Sequence, residues 1–333
     1  MSSADETYAQ RLGLDVGTSR IVMARGSGKK NEYQAQLNAF VTLPYSKLAE
    51  SLLQRENMFH TVRGGEIVVA GDDAEKLAEV FHVETRRPMK DGVLNPHEPH
   101  ALEVVRQIIT KLLGPAAGEG QKVVFSVAAP VLGDELGIRY HQESIRQILT
   151  DLGYLATPIE EGLAVVFGEL ADANFSGIGI SCGSGLCNVC LAVLSVPVIS
   201  FSVPKGGDFI DAQAAMVTGD LATRLRVHKE RSFSLNGLNS DRVHNALTVY
   251  YDQVIQNLVK ALRDSISSSQ KLPKLTQAIP LVLAGGTVLP KGFFDHFTRA
   301  LKANELPVKL SEVRVAADPL NSTARGALMA ALC

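Results

Sequence analysis

The residues best suited to chemistry in this chain lie near its start, at Asp15-Val-Gly17-Thr18-Ser19-Arg20. An apolar strand runs into an aspartate and a Gly-Thr-Ser turn, then returns to apolar residues. The backbone N–H groups and hydroxyls of such a turn can hold a phosphate while the carboxylate faces a divalent cation. The same pattern also fits an ordinary hairpin. A second glycine turn, Gly177-Ile-Gly-Ile-Ser181-Cys182-Gly183-Ser184-Gly185, joins close backbone approach to a small hydroxyl. A glycine-rich hairpin without a ligand is its alternative. A third stretch, Ile279-Pro-Leu-Val-Leu-Ala-Gly285-Gly286-Thr287, ends an apolar strand in a backbone platform for a flat base or a phosphate. A plain strand-to-helix turn would look the same. Between the first two turns, Pro158-Ile159-Glu160-Glu161-Gly162 places carboxylates at a helix start. One of them could orient a water for attack on a terminal phosphate, or simply complement the helix dipole.

The elements that must position these residues alternate between strands and helices, as in an α/β protein. Residues 123–129 read as a strand stopped by Pro130. Residues 97–113 predict an amphipathic helix with Leu102, Val105, Ile108, Ile109, Leu112 and Leu113 on its apolar side, ended by Gly114-Pro115. A second helix is expected over 134–152, with Ile145, Ile148, Leu149 and Leu152 on one face and Gly153 after it. A long one is expected from about Asp241 to Ser268, capped by Ser240, with the stripe Val243, Leu247, Tyr250, Val254, Leu258, Ala261 and Leu262. Residues 35–65 are irregular and suggest a small subdomain or surface insertion, and 228–241 read as a polar connection. No short repeat is visible. A coarse echo is: a strand leading to a Gly-Thr-Ser turn at 17–19 recurs as a strand leading to Gly183-Ser184-Gly185. Two halves with one such hairpin each would place a nucleotide in the cleft between them.

At 333 residues the chain can bury a large core and should form about two domains. Its 46% hydrophobic and 20% charged residues are ordinary for a globular protein. A net charge of −2 provides no global field for nucleic acid or anionic membrane. No apolar run reaches membrane-spanning length, and residues 1–10 are polar, without a signal-peptide core or a basic amphipathic anchor. The expectation is a cytoplasmic protein with no nucleic-acid partner and no direct membrane anchor. Four cysteines are present, Cys182, Cys187, Cys190 and Cys333. The spacing Cys187-x-x-Cys190 is that of redox and zinc sites. It falls within a buried strand, however, where positions three apart point to opposite faces, so core thiols are expected.

Taken in order, these stretches resemble the actin, Hsp70 and sugar-kinase ATPase superfamily, and more narrowly the MreB and MamK group of bacterial actins. The resemblance rests on Asp15-Val-Gly-Thr-Ser-Arg20, Arg87-Pro-Met-Lys-Asp-Gly-Val-Leu94, Pro158-Ile-Glu-Glu-Gly162, Gly206-Gly-Asp208-Phe-Ile-Asp211, Leu283-Ala-Gly-Gly-Thr287 and Asp318-Pro-Leu-Asn-Ser-Thr-Ala-Arg-Gly326. The six are collinear and span residues 9–330. The fold implied is α/β, with two actin-like (RNase H-like) domains flanking a nucleotide cleft, each carrying a smaller subdomain. Domain I would comprise residues 9–172 and 313–333, with its small subdomain at about 35–75. Domain II would comprise 173–312, with a reduced small subdomain at about 208–240.

The resemblance also implies roles. Gly17, Thr18 and Ser19 form the first phosphate hairpin, and Asp15 sits beside magnesium through water. Gly183, Ser184 and Gly185 form the second hairpin. Glu160 aligns the attacking water. Gly207 and Asp208 lie in a strand-to-helix turn on the second domain's side, and Gly285, Gly286 and Thr287 hold the adenosine. Thr223 and Arg226 stand where relatives turn an acidic and a basic residue toward ribose and base. Ala324, Gly326 and Ala327 permit close packing at the hinge. One departure stands out: Ser181 occupies the position of the usual aspartate, which puts hydrolysis in doubt. The implied function is an ATP–Mg2+-binding (or ADP-binding) cytoskeletal protein that self-assembles head to tail, hydrolyses ATP slowly and engages an adaptor or cargo protein. The alternative is a nucleotide-gated adaptor that neither polymerises nor turns over.

Overall fold

The computed structural model describes residues 11–26, 30–81, 83–131, 136–273, 275 and 277–332. The polar segment 1–10, the first two residues of the helix expected from 134, and Cys333 lie outside these residues. The first sheet begins with β1 (Arg11–Val16), β2 (Arg20–Gly26) and β3 (Asn31–Leu37). A small unit follows: β4 (Phe40–Pro44), α1 (Lys47–Arg55), β5 (His60–Arg63), β6 (Glu66–Ala70) and α2 (Asp72–Phe81). Its three strands run in the order β4-β6-β5 around a separate core of Val41, Leu53, Ile67, Val69, Ala74 and Leu77. The irregular stretch at 35–65 is thus part of a small folded unit. The chain returns through β7 (Met89–Lys90), β8 (Val93–Leu94), α3 (Ala101–Leu113), β9 (Lys122–Val127), α4 (Leu136–Asp151), β10 (Leu155–Glu160) and α5 (Glu161–Glu169).

The second half opens with β11 (Gly177–Cys182), β12 (Leu186–Val193) and β13 (Val196–Pro204), then α6 (Gly207–Thr218), α7 (Ala222–Ser232) and α8 (Arg242–Ser268). It closes with β14 (Ile279–Ala284), α9 (Phe293–Ala303), β15 (Leu310–Val315) and α10 (Ser322–Leu332). The two five-stranded sheets share one topology, β10-β9-β1-β2-β3 and β13-β12-β11-β14-β15. In each, the first strand is central, an antiparallel meander extends on one side, and two parallel strands extend on the other. The echo between the two glycine turns reflects this duplication of a whole sheet.

Strand alternation sorts every side chain onto one of two faces. The outer face of the first sheet carries Leu12, Leu14, Val16, Val123, Phe125 and Val127, which pack under Val105, Ile108 and Ile109 of α3 and Ile145, Ile148 and Leu149 of α4. The outer face of the second carries Ile178, Ile180, Cys182, Cys187, Val189 and Leu191 beneath α8. The inner faces meet α5 and α10, which lie packed together between the sheets. That packing demands small residues. A Cβ at Gly326 would fall on the Ala164 carbonyl, and one at Gly13 on the backbone of Ala324 and Leu328. Cys190 faces the inner core and Cys187 the outer one, so the C-x-x-C thiols do not converge.

Several local expectations need correction. α3 starts at Ala101 and leaves Leu102 exposed, because Val104 supplies the buried turn. The cap of α8 is Asp241, whose side chain accepts from the Val243 N–H, in place of Ser240. Its buried stripe uses Tyr251 where Tyr250 was expected, and extends through Ile255, Val259 and Ile266. Residues 228–232 are the last turn of α7 rather than a connection.

Candidate functional site

The inner-face positions near the end of β1 and β9 are Asp15 and Ser126, and those of β11 and β12 are Ser181 and Asn188. Alternation alone turns all four toward the gap between the sheets. The Ser126 hydroxyl donates to Asp15 Oδ1 at 2.7 Å and accepts from the Val16 N–H at 2.9 Å, which fixes the aspartate at the strand end. Opposite it stands Glu161, the first residue of α5, whose carboxylate accepts from Ser181 Oγ at 2.8 Å and lies beside the Asn188 side chain. Burial pushes Asp15 up to about 6, against the pull of Ser126. Burial and then the charge of Asp15 push Glu161 up to about 8. Two such carboxylates in a shared pocket do not both ionise at neutral pH without a cation.

Glu160 is turned elsewhere. It is the N-cap of α5, in extended conformation, and its carboxylate accepts from Ser200 Oγ on β13. Adjacent residues at a helix start point in different directions, so Glu161, not Glu160, joins Asp15 in the cleft.

The two glycine turns are built alike. In the first, Gly17 N donates to Arg20 O at 3.0 Å. The three carbonyls are all taken: Gly17 O by Asn38 Nδ2 at 2.9 Å, Thr18 O by Arg87 Nη1 at 3.3 Å and Ser19 O by Asn38 N at 2.8 Å. In the second, Gly183 O accepts from Gly207 N at 3.1 Å and Thr287 Oγ1 at 2.8 Å. Ser184 O accepts from Asp208 N at 2.8 Å and Gly185 O from Gly206 N at 3.2 Å. With the carbonyls held back, the amides of Thr18, Ser19, Ser184 and Gly185 have no partner among the described residues. The Ser184 hydroxyl is buried and also without a partner. Clustered free N–H groups and an orphaned hydroxyl are what an anion of phosphate type requires. The turns approach closely: a Cβ at Gly185 would lie 2.7 Å from Thr18 Oγ1.

Magnesium suits this donor set in one way only. No cluster of three or more His, Cys, Asp or Glu side chains occurs among the described residues. A single hard carboxylate such as Asp15 serves a cation that keeps most of its waters and takes its remaining ligands from phosphate oxygens.

The remaining expected residues divide. Gly285 adopts φ +93°, and a side chain there would strike the Cys182 backbone, while Gly286 is open, with only Leu320 at 3.6 Å from a Cβ. Thr287 is spent on Gly183 O, so it braces the second turn. Gly207 leaves room for Lys229, whose Nζ reaches Gly207 O at 3.1 Å and Asp211 at 2.7 Å in a buried pair. Thr223 and Arg226 lie on α7 and reach across the cleft mouth, to Glu84 at 3.4 Å and to Glu75 of α2 at 3.1 Å. Asn188, Ser126, Asn38 and Lys229 are site residues that motif reading did not single out, while Glu161 and Arg87 fall inside quoted motifs that gave them no assigned role. Inner-face parity identifies Ser126 and Asn188; the rest come from elements distant in sequence.

Comparison with known proteins fits this geometry. The Volactin family model matches residues 11–331. The actin-like protein MamK of Magnetospirillum gryphiswaldense is 21% identical over 343 residues, covering 95% of this chain and 87% of the relative. Among solved structures, the MamK double helical filament aligns with a TM-score of 0.73 at 18% identity, over 97% of this chain and 98% of the other. MreB 5 of Spiroplasma citri bound to AMPPNP aligns at 0.66 and 14% identity, over 95% and 94%. With a family model spanning nearly its whole length and the duplicated sheets to match, this chain belongs to the Volactin family and has the two-domain actin-like fold.

Proposed function

We propose that the chain is an actin-like cytoskeletal protein that binds a magnesium–nucleotide complex between its two glycine turns and assembles head to tail. The observation that carries this reading is the pair of closely approaching turns whose carbonyls are all engaged and whose amides have no partner among the described residues, beside Asp15 and Glu161. Thr18, Ser19, Ser184 and Gly185 would hold phosphate oxygens, Asp15 the hydrated cation, and the Gly285–Thr287 turn the adenosine. ATP–Mg2+ bound there would supply the charge that lets both carboxylates ionise. On this reading the role that the resemblance gives to Glu160 passes to Glu161, which would orient a water for slow hydrolysis. MamK, named for a double helical filament, and MreB 5, bound to AMPPNP, support both halves of the proposal. A head-to-tail contact is heterologous and so propagates into an open filament. The cytoplasm is the proposed location, with an adaptor or cargo protein as partner.

Sedimentation with ATP, ADP and no nucleotide, alongside fluorescent-nucleotide binding, tests the proposal. Pelleting that depends on ATP, and an Asp15→Ala variant with weakened magnesium–nucleotide affinity, are the expected results. Protein that binds no nucleotide and stays in the supernatant throughout refutes it. One observation favours a second reading, a non-polymerising adaptor: Ser181 brings a neutral hydroxyl, bound to Glu161, to the cleft face. Nucleotide binding without pelleting or phosphate release would select it.

A further inference from the structure

A row of buried polar residues crosses the second sheet where hydrophobic ones would cost less. Ser181 on β11 pairs with Asn188 on β12, and Asn188 pairs with Ser202 on β13, all on the inner face. At one end the row meets Glu161. At the other it meets the first domain, because the chain beyond β9 leaves its own sheet and runs beside β13. Ser202 N donates to Pro130 O at 3.0 Å, and Val131 forms a parallel bridge with Ser202. Asn188 sits between these ends. Its Oδ1 accepts from the Ala129 N–H at 2.9 Å and lies 2.6 Å from Ser202 Oγ, which is also 2.5 Å from Ala129 O. Because the Ala129 N–H is a donor, the amide oxygen must face it, and Nδ2 is left as the free donor on the side of the Glu161 carboxylate.

We propose that Asn188 is a positioning residue for Glu161, with one end of its amide holding the carboxylate and the other fixed by the first domain's Ala129. Glu161 has two polar side-chain neighbours on the second sheet, Ser181, which donates to it at 2.8 Å, and Asn188. Only the second is anchored across the domain boundary. A rotation of the domains that draws Ala129 and Pro130 along β13 pulls on Asn188 and so re-aims the carboxylate. The orientation of the water-orienting group thereby depends on the state of the cleft. Asn188 makes no hydrogen bond to either glycine turn, so its effect should fall on turnover and not on nucleotide affinity.

The inference rests on the hydrolytic reading above, and its test separates the two. Asn188→Asp keeps an acceptor for Ala129 and Ser202 but replaces the Nδ2 donor with oxygen. Asn188→Ala removes both ends, and Ser202→Ala loosens only the far end. Steady-state phosphate release and ADP affinity are measured for wild type and the three variants, with thermal melting as the control for folding. The expected result is a kcat tenfold or more lower in Asn188→Asp and Asn188→Ala, a smaller loss in Ser202→Ala, and KM and ADP affinity within about twofold of wild type. A wild-type kcat in Asn188→Asp overturns the proposal. So does a loss in which ADP affinity and melting temperature fall in step, which marks a merely structural residue. If Asn188→Asp does not fold, Asn188→Ala decides by the same split. Wild type that binds ADP but releases no phosphate overturns the hydrolytic reading, and the role of Asn188 in it.

Discussion

Glu160 and Glu161 are adjacent, chemically identical and turned to different partners, so substituting each in turn is a sharp test of the site. Glu161→Gln should reduce phosphate release by on the order of a hundredfold or more, the usual contribution of a group that positions or deprotonates the attacking water. Glu160→Gln should leave release within about threefold, since that carboxylate is held by Ser200 away from Asp15. A second magnitude comes from electrostatics. An ordinary glutamate titrates near 4.5 and Glu161 near 8. At pH 7 the metal-free fold therefore holds a proton that the unfolded chain releases, at a cost of roughly 3 kcal/mol, taking about 1.36 kcal/mol per pH unit. Because the folded pKa lies above the unfolded one, that penalty grows as pH rises from about 4.5 to about 8. Glu161→Gln removes it. The inactive variant should be the more stable protein at pH 8 in chelator-treated buffer, by urea denaturation, and should lose that advantage below pH 5. The reasoning fails if Glu160→Gln abolishes turnover while Glu161→Gln does not, or if Glu161→Gln is less stable than wild type at pH 8.

Four further outcomes are expected. Gly326→Ala places a methyl on the Ala164 carbonyl and forces α5 and α10 apart, at a cost of about 3 kcal/mol. Gly118→Ala, with open space around it, should be near neutral in the same urea titration. His141 is buried with neither ring nitrogen partnered among the described residues, and burial pulls it down to about 4. The unfolded chain therefore takes up a proton below about 6.5 that the fold refuses, and stability falls by about 3 kcal/mol between there and pH 4. His141→Leu should flatten that acid limb. Glu75→Gln removes the charge facing Arg226 across the cleft mouth. With Glu75 half exposed the pair is worth about 1 kcal/mol or less, so a fluorescent-nucleotide chase should show release only a few times faster.

What could be read from the sequence follows from the range of the forces involved. The glycine turns and the strands feeding them are local: Gly17, Gly185 and Gly285 are needed where backbone approaches backbone, and their neighbours announce it. The α/β alternation and the long α8 were legible for the same reason. The choice between Glu160 and Glu161 was not, because it turns on which residue ends β10 and which begins α5, a one-residue boundary that no periodicity fixes. Asn38 and Arg87 were illegible for a different reason. Their work is to occupy the carbonyls of a turn 19 and 69 residues away, by the intervals from Ser19 to Asn38 and Thr18 to Arg87, and nothing in their own surroundings marks it. Thr223 and Arg226 show the converse. Their residue types suited a ligand, but the small unit carrying Glu75 folds over the cleft and engages them.

The duplicated topology also explains why the departure at Ser181 need not empty the site of charge. Each sheet presents one inner-face position at the end of its central strand, Asp15 in the first and Ser181 in the second, and strict duplication would make them equivalent. Two carboxylates there, with Glu161 between them, would put three acids in one low-dielectric pocket and raise the cost of each. With serine at the second position, the pocket holds two acids, and the hydroxyl is a donor that Glu161 uses. The negative charge that the proposed hydrated cation would meet is then Asp15 on one wall and Glu161 at the start of α5. Glu161 opens the helix that leads from the first sheet to the second, and its partner Ser181 sits on the second sheet, so a rotation of the domains moves that partner relative to Asp15. Placing the second carboxylate at the joint ties the charge of the site to the state of the cleft, and the Asn188 link to Ala129 is the contact through which that tie would act.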